Sequence, residues 1–154
     1  MISPLEIAKA LRTVEPKVSD PTPEQIAIIS APLEPAVVIA GAGSGKTETM
    51  SARVLWLVAN KIVRPDEILG LTFTRKAAGE LSIRVRKRLR QLSQLPEFKH
   101  ITSNSTAVTT YHSYAGKLLS EHAIRYGIDA DAEPLGEAAI WQIASDVVRN
   151  WSDD

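Results

Sequence analysis

The sequence contains no cysteine among its 154 residues. Disulfide bonds and thiolate metal sites are therefore excluded. No apolar stretch approaches the roughly 20 residues that a membrane-spanning helix needs. The first residues also lack the basic-then-apolar pattern of a secretory signal. A cytoplasmic protein with no membrane partner is therefore the default prediction.

The sequence also lacks a net charge, because 18 basic residues balance 18 acidic ones. The charges are nevertheless unevenly distributed. The stretch from Leu71 to Arg90 holds seven basic side chains and one acidic one, whereas Glu121 to Asp154 holds two basic and eight acidic. Such a basic stretch is first interpreted as a solvated helix face and second as a surface for nucleic acid.

The sequence does contain a regular alternation of short apolar runs and helical patterns. Apolar runs bounded by turn residues predict buried strands at Val37–Ala40 and Ile68–Phe73, and a third short strand is predicted at Ala107–Thr110. Helical spacing predicts a helix after each strand, and capping signals at Ser3 and Thr22 predict two short helices before the first strand. This order predicts an α/β fold with a parallel sheet, right-handed crossovers and a helical N-terminal preface.

Each predicted helix has a stripe of residues expected to face a core. In the helix from about Lys46 to Asn60 these are Met50, Val54, Leu57 and Val58, and in the next they are Ala77, Leu81, Val85, Leu89 and Leu92. In the helix from His112 to Tyr126 they are Ala115, Leu118, Leu119 and His122. In the last helix, from about Gly136 to Trp151, they are Ile140, Ile143, Val147 and Trp151.

A glycine-rich turn follows the first predicted strand. Residues Ala40 to Thr47 fit the pattern A-x-x-x-x-G-K-T, a P-loop with Ala in place of the first Gly. Backbone N–H groups from Gly43 to Thr47 can converge on one anion only if the chain adopts φ and ψ values that Gly permits. Lys46 supplies a charge for the β- and γ-phosphates, and the Thr47 hydroxyl is a ligand for Mg²⁺. The alternative is a strand-to-helix turn that binds nothing.

Three further segments stand in a fixed order around this loop. They are "PTPEQ" at residues 21–25, "LTFTRKAAGEL" at 71–81 and "TTYHSYAGKLL" at 109–119. Together with "AGAGSGKT" they resemble the Q motif, motif I, motif Ia and an Ib-type segment of superfamily 1 DNA helicases of the UvrD/Rep/PcrA kind. The same segments look especially like the helicase subunits of actinobacterial helicase–nucleases of the AdnB type. The resemblance covers most of the chain.

The resemblance implies a domain organisation and a set of partners. Residues 1–20 would be an N-terminal helix and linker, 21–127 a partial RecA-like subdomain 1A, and 128–154 the start of a helical 1B-like insertion. The implied ligands are ATP, Mg²⁺ and single-stranded DNA. The implied protein partners are the second RecA-like lobe of the helicase and a helicase–nuclease subunit.

The resemblance also implies roles residue by residue. The nucleotide-binding residues would be Gln25, Ala42, Gly43, Ser44, Gly45, Lys46, Thr47, Glu48 and Arg53, with Lys46 and Thr47 acting in catalysis. The DNA-binding residues would be Phe73, Thr74, Arg75, Tyr111 and His112. An aromatic ring at a strand end can stack on any base, and Arg75 and small hydroxyls can hold phosphate oxygens.

Structural alternatives stay open for three of these residues. Gln25 fits a capping box with Thr22, and it can serve both roles in different states. Phe73 could be the last core residue of its strand, although polar Thr72 and Thr74 favour exposure. His112 could simply begin a helix.

A helicase also needs an apolar strand that ends in Asp-Glu, and the sequence has none. Asp66-Glu67 precedes its strand, Asp129 and Asp131 follow no apolar run, and Asp153-Asp154 follows a polar stretch. The chain is therefore expected to be the N-terminal part of a 3′-to-5′ DNA helicase that binds nucleotide without hydrolysing it. The alternatives are a small P-loop kinase or nucleotide switch, and a non-enzymatic DNA-binding module.

Overall fold

A computed structural model describes residues 1–101, 106–127, 129 and 135–151. The helices are α1 (Pro4–Arg12), α2 (Pro23–Ile29), α3 (Lys46–Ala59), α4 (Arg75–Ser93), α5 (Tyr111–His122) and α6 (Glu137–Asn150), and the strands are β1 (Leu69–Thr72) and β2 (Ala107–Thr110). Single 3₁₀ turns lie at Pro65–Glu67, Pro96–Phe98 and Ala123–Tyr126. In this part of the chain no helix is long and apolar enough to cross a membrane. The chain divides into two compact units, Met1–Ser113 and Tyr114–Asp154.

The sheet of the first unit is parallel, as an α/β chain requires. Strand β1 pairs with β2 in register from Leu69 opposite Ala107 to Thr72 opposite Thr110. Both strands lie where the apolar runs predicted them, and α4 connects them. They are only partly covered, because Leu69 and Ala107 are exposed and one of the eight strand residues is buried. The prediction that the strand at Ile68–Phe73 is buried was therefore wrong.

The first predicted strand, Val37–Ala40, is not formed. This segment has neither helix nor strand geometry, and Val37 and Ile39 are 88% and 95% exposed. A strand exists only through hydrogen bonds to a neighbour, and no strand in the described part of the chain lies beside this segment. The apolar pattern identified a segment suited to a sheet interior, but the burial predicted for it was wrong.

The core of the first unit lies between its helices. The largest fully buried side chains are Ile29, Leu55, Val85, Leu89, Leu92 and Phe98. Val85, Leu89 and Leu92 belong to the predicted stripe of α4, and Leu81 is buried with them. Two predicted core residues are exposed, Met50 and Ala77, and Ala78 is buried in place of Ala77. The stripe on each helix is thus displaced by about one position at its N-terminal end.

The first helices begin as their capping signals predicted. Ser3 and Glu6 form a capping box at α1, and Thr22 and Gln25 form one at α2. Helix α1 packs on the core through Ile7 and Leu11. The chain before α1 is held by the buried Trp56, whose Nε1 donates to the carbonyl of Ile2 at 2.9 Å. The helical preface is therefore part of the first unit.

The second unit buries little within the described residues. The predicted stripe residues of both helices are exposed. In α5 they are Ala115, Leu118, Leu119 and His122, and in α6 they are Ile140, Ile143 and Val147 with the C-cap Trp151. The prediction that these stripes are buried was wrong, because an apolar stripe is covered only where another element packs against it. Ala123 is the one buried side chain described here. The predicted division at residues 127 and 128 stays a prediction.

Candidate nucleotide and nucleic-acid site

The loop before α3 has the backbone geometry of an anion-binding turn. Gly43 and Gly45 have φ of 78° and 79°, in the left-handed region that favours glycine. Gly45 is the N-cap of α3, so the loop leads directly into the first N–H groups of a 14-residue helix. Backbone N–H groups in this arrangement and the positive end of the helix dipole favour an anion.

Lys46 lies against its own loop. Its Nζ donates to the carbonyl of Gly41 at 2.6 Å and to that of Ala40 at 3.2 Å. The Ser44 hydroxyl also donates to the Gly41 carbonyl, at 2.9 Å. These contacts hold the Lys46 ammonium group at the carbonyls of Ala40 and Gly41, where the loop begins.

Gln25 joins the capping box of α2 to the same loop. Its Oε1 accepts from the Thr22 N–H at 3.0 Å, and its Nε2 donates to the Ser44 carbonyl at 3.3 Å. A cavity of about 150 Å³ opens beside Gln25 and Gly45, and it is otherwise lined mainly by apolar side chains such as Leu11 and Trp56. The capping role of Gln25 is confirmed, and its role in adenine recognition stays a prediction.

Thr47 and Glu48 face different surroundings. Thr47 is exposed, so its hydroxyl is free of the core. The carboxylate of Glu48 turns toward α4, where it accepts from Arg84 Nη1 at 3.2 Å and from Arg88 Nη1. Because the described residues hold no cluster of three acidic or histidine side chains, a Mg²⁺ ion here would depend on phosphate and water for most of its ligands.

Arg53 does not reach the loop but binds the end of α2. Its Nη1 donates to the carbonyls of Ile28, Ile29 and Ala31 at 2.8–3.0 Å, and its Nη2 donates to Pro32 at 3.0 Å. Carbonyls at the end of a helix have no partner within the helix, and a guanidinium can satisfy several of them at once. In this structure Arg53 fixes the helix that carries Gln25 rather than contacting the loop.

Two aromatic rings meet at the carboxyl edge of the sheet. Phe73 and Tyr111 each follow the last residue of a strand, and Thr72 pairs directly with Thr110. The parallel register therefore places the rings side by side, with centroids 5.2 Å apart and planes at 37°. Phe73 is 85% exposed, so it is not a core residue. An exposed pair of rings at this edge can stack on nucleotide bases.

Two helices begin at the same edge. The Thr74 hydroxyl caps α4 by accepting from the Ala77 N–H at 3.1 Å, and the Thr110 hydroxyl accepts from the Ser113 N–H at 3.1 Å in the first turn of α5. Arg75 and His112 are exposed beside these caps. The helix starts add partial positive charge to the aromatic edge, and this combination suits a phosphate backbone.

The basic face of α4 is partly occupied by acidic residues of the chain itself. Arg84 and Arg88 bind Glu48, while Glu15 accepts from Lys87 Nζ at 2.7 Å and from Gln91 Nε2 at 2.9 Å. Hydrogen bonds from Lys87 and then Gln91 lower the pKa of Glu15. No local sequence pattern signals these pairs, because the partners lie 36 to 76 residues apart.

Comparison with known proteins identifies relatives that share these segments. A family model described as the UvrD/REP helicase N-terminal domain matches residues 21–153. DNA helicase II of Haemophilus influenzae is 36% identical over 70% of this chain. The ATP-dependent DNA helicase PcrA of Staphylococcus aureus is 30% identical over 85% of it. One of the subunits of an ATP-dependent helicase/nuclease from Pelotomaculum thermopropionicum is 35% identical over 70% of it.

The chain is much shorter than these relatives. It spans 14% of the length of the Haemophilus protein, 17% of PcrA and 9% of the helicase/nuclease subunit. The residues that the family model matches include the glycine loop and both strand ends described above.

Proposed function

Because the chain belongs to the UvrD/REP helicase N-terminal family, we propose that it binds ATP with Mg²⁺ at the loop before α3 and single-stranded DNA at the carboxyl edge of the sheet. One observation carries this proposal. The loop combines left-handed Gly43 and Gly45, the ammonium of Lys46 hydrogen-bonded to the Gly41 carbonyl, and the start of helix α3. Those groups are what a triphosphate needs.

The nucleotide would be held by groups of three kinds. Backbone N–H groups from Ala42 to Thr47 bind phosphate oxygens, and Lys46 exchanges its loop carbonyls for the β- and γ-phosphates. The Thr47 hydroxyl is the ligand that the chain itself offers to Mg²⁺. Gln25 recognises the adenine edge, since its side-chain amide already lies against the same loop at the Ser44 carbonyl.

The DNA would lie across the exposed edge of the sheet. Bases stack on Phe73 and Tyr111, while phosphates bind Arg75, His112 and the start of α4 at Thr74. Stacking does not read base identity, so we expect binding without sequence preference. This property suits a protein that moves along DNA.

For the whole protein we propose ATP-driven 3′-to-5′ translocation and unwinding in DNA repair or recombination. The chain would form the first part of a RecA-like lobe and act with a second lobe, and a helicase–nuclease subunit is a candidate partner. The sequence supplies no strand that ends in Asp-Glu to hold the ion and orient the attacking water. We therefore expect the 154-residue chain to bind ATP without hydrolysing it.

Titration of a fluorescent ATP analogue into the chain tests the nucleotide site. The wild type is expected to bind, and Lys46→Ala to bind at least about tenfold more weakly, because a charged hydrogen bond to phosphate is lost. Lys9→Ala, at an exposed lysine of α1, is the matched control and should bind like the wild type. Equal affinity of the Lys46 variant would refute the site. Turnover that depends on Lys46 would refute the expectation of an inactive chain.

Fluorescence anisotropy with labelled oligo-dT tests the DNA edge. Phe73→Ala and Tyr111→Ala should each weaken binding by about 1–3 kcal/mol, the value of one base stacked on an aromatic ring. Tyr126→Ala removes an exposed ring from the second unit and should leave the affinity unchanged. Loss of affinity in the Tyr126 variant alone would place the DNA elsewhere.

A further inference from the structure

Three helices of the first unit have a Glu or Gln at their third position. In α1, Glu6 Oε2 accepts from the N–H of the N-cap Ser3 at 2.7 Å. In α2, Gln25 Oε1 accepts from the N–H of the N-cap Thr22 at 3.0 Å. Both side chains thus reach back and occupy the N-cap N–H, which is the ordinary behaviour of this position.

Helix α3 departs from this pattern at the nucleotide loop. Its third residue is Glu48 and its N-cap is Gly45, yet no side chain caps this helix. The Glu48 β-carbon lies only 3.9 Å from where a β-carbon on Gly45 would stand, so the carboxylate starts close to the loop. Both of its oxygens instead accept from α4, one from Arg84 and the other from Arg88.

A carboxylate left free at this position would oppose a triphosphate in two ways. Although Gly45 is left-handed where the N-caps Ser3 and Thr22 are extended, a free carboxylate beside it can accept from the Gly45 N–H and so occupy a donor that a phosphate oxygen needs. It would also place a negative charge beside the negative phosphates at the helix start. The two arginines remove both obstacles, because they hold the carboxylate on the side of α4.

We propose that Arg84 and Arg88 are positioning residues for the nucleotide site, which act by withdrawing Glu48 from the N–H of Gly45. This inference rests on the proposed binding of ATP at this loop. It assigns the arginines a role that does not involve DNA, although both lie on the basic face of α4. The role is specific to a chain with an acidic residue directly after Lys46-Thr47.

The test compares ATP affinity in four forms of the chain: wild type, Arg84→Met/Arg88→Met, the same double variant with Glu48→Gln, and Arg90→Met. The double variant should bind ATP about tenfold more weakly, as expected for a like charge released at a helix start. Adding Glu48→Gln should restore affinity to within about twofold, because the neutral amide no longer repels phosphate. Arg90 is exposed and forms no ion pair among the described residues, so Arg90→Met should bind like the wild type.

The four affinities distinguish failure of the arginine inference from failure of the proposed ATP binding. If the triple variant binds as weakly as the double variant, the arginines act through packing and the inference is wrong. A double variant with wild-type affinity would also overturn it. If the wild type binds no ATP, the proposed function fails first. Circular dichroism verifies folding, and if the double variant is unfolded, Arg84→Met with and without Glu48→Gln provides the same comparison at the more exposed arginine.

Hydrogen exchange gives a second readout without nucleotide. In the wild type the amide of Gly45 should exchange freely, because no side chain accepts from it. In Arg84→Met/Arg88→Met it should exchange more slowly, since the released Glu48 would accept from it. Unchanged exchange in the folded variant would contradict the capping part of the inference.

Discussion

Single residues in the glycine-rich loop before α3 hold conformations that only a few residue types accept. Two constraints act on Gly45. Its φ is 79°, and a β-carbon added there would lie only 3.0 Å from Gln25 Nε2. An L-residue in this region costs about 1–2 kcal/mol. The glycine therefore serves both the backbone turn and the contact between Gln25 and Ser44.

Gly45→Ala is expected to lower the free energy of unfolding by about 1–2 kcal/mol and to displace Gln25 from the Ser44 carbonyl. Gly79→Ala is the matched control, because Gly79 lies in α4 with no heavy atom within 4 Å of an added β-carbon. That control should stabilise the chain by about 0.5–1 kcal/mol. Urea denaturation followed by circular dichroism measures both changes. Equal effects of the two substitutions would contradict the left-handed geometry of Gly45.

At the scale of elements, two side chains, Arg53 and Gln25, join α2 to α3 and to the loop before it. Arg53 in α3 donates to four carbonyls at the C-terminal end of α2, and Gln25 in α2 donates to the loop before α3. The two helices therefore hold each other at both ends of α2. The position of Gln25 relative to the loop depends on this arrangement.

Arg53→Met is expected to lower the free energy of unfolding by about 1–3 kcal/mol, because partly buried carbonyls lose a charged donor. Arg53→Lys keeps the charge without the planar fork and should recover only part of the loss. Arg90→Met, at an exposed arginine, should change stability by less than about 0.5 kcal/mol. Thermal and urea unfolding measure the series. If Arg53→Met matches Arg90→Met, the carbonyl contacts contribute nothing to stability.

The sequence predicted the positions of the elements better than their burial and their long-range contacts. The strands Leu69–Thr72 and Ala107–Thr110, the caps at Ser3 and Thr22, and the loop glycines all follow from local patterns, and the structure has them where the patterns indicated. Burial of Val37–Ala40 and of α6 depended on a facing element that no local pattern contains. The pairing of Glu48 with Arg84 and Arg88 depends on how α3 and α4 pack, which spacing alone does not reveal.

At the scale of the whole molecule, apolar surface is exposed in both units. Val37 and Ile39 precede the loop, and Trp141 and Val148 lie on α6. Large exposed apolar residues close together are typical of surfaces that associate. The chain matches relatives of which it spans less than a fifth, so in a longer protein of this family such surfaces would have further sequence to contact.

The double variant Val37→Lys/Ile39→Lys is expected to reduce self-association of the chain, because it replaces exposed apolar side chains with charges. Its stability should stay within about 0.5 kcal/mol of the wild type, since neither side chain is in the core. Glu34→Lys changes the charge of the same segment without removing apolar surface and is the control. Sedimentation velocity over a range of concentrations measures association. If Glu34→Lys reduces self-association equally, charge rather than apolar contact controls the association.

The three tryptophans stand in contrasting environments, and this gives the chain a built-in optical reporter. Trp56 is 5% exposed and bonded to the Ile2 carbonyl, whereas Trp141 and Trp151 are 77% and 73% exposed. The emission of Trp56 should therefore shift to longer wavelength on melting, while that of the other two already resembles indole in water. The shift in emission on melting therefore reports on the first unit, Met1–Ser113, alone. Trp56→Phe should abolish this shift.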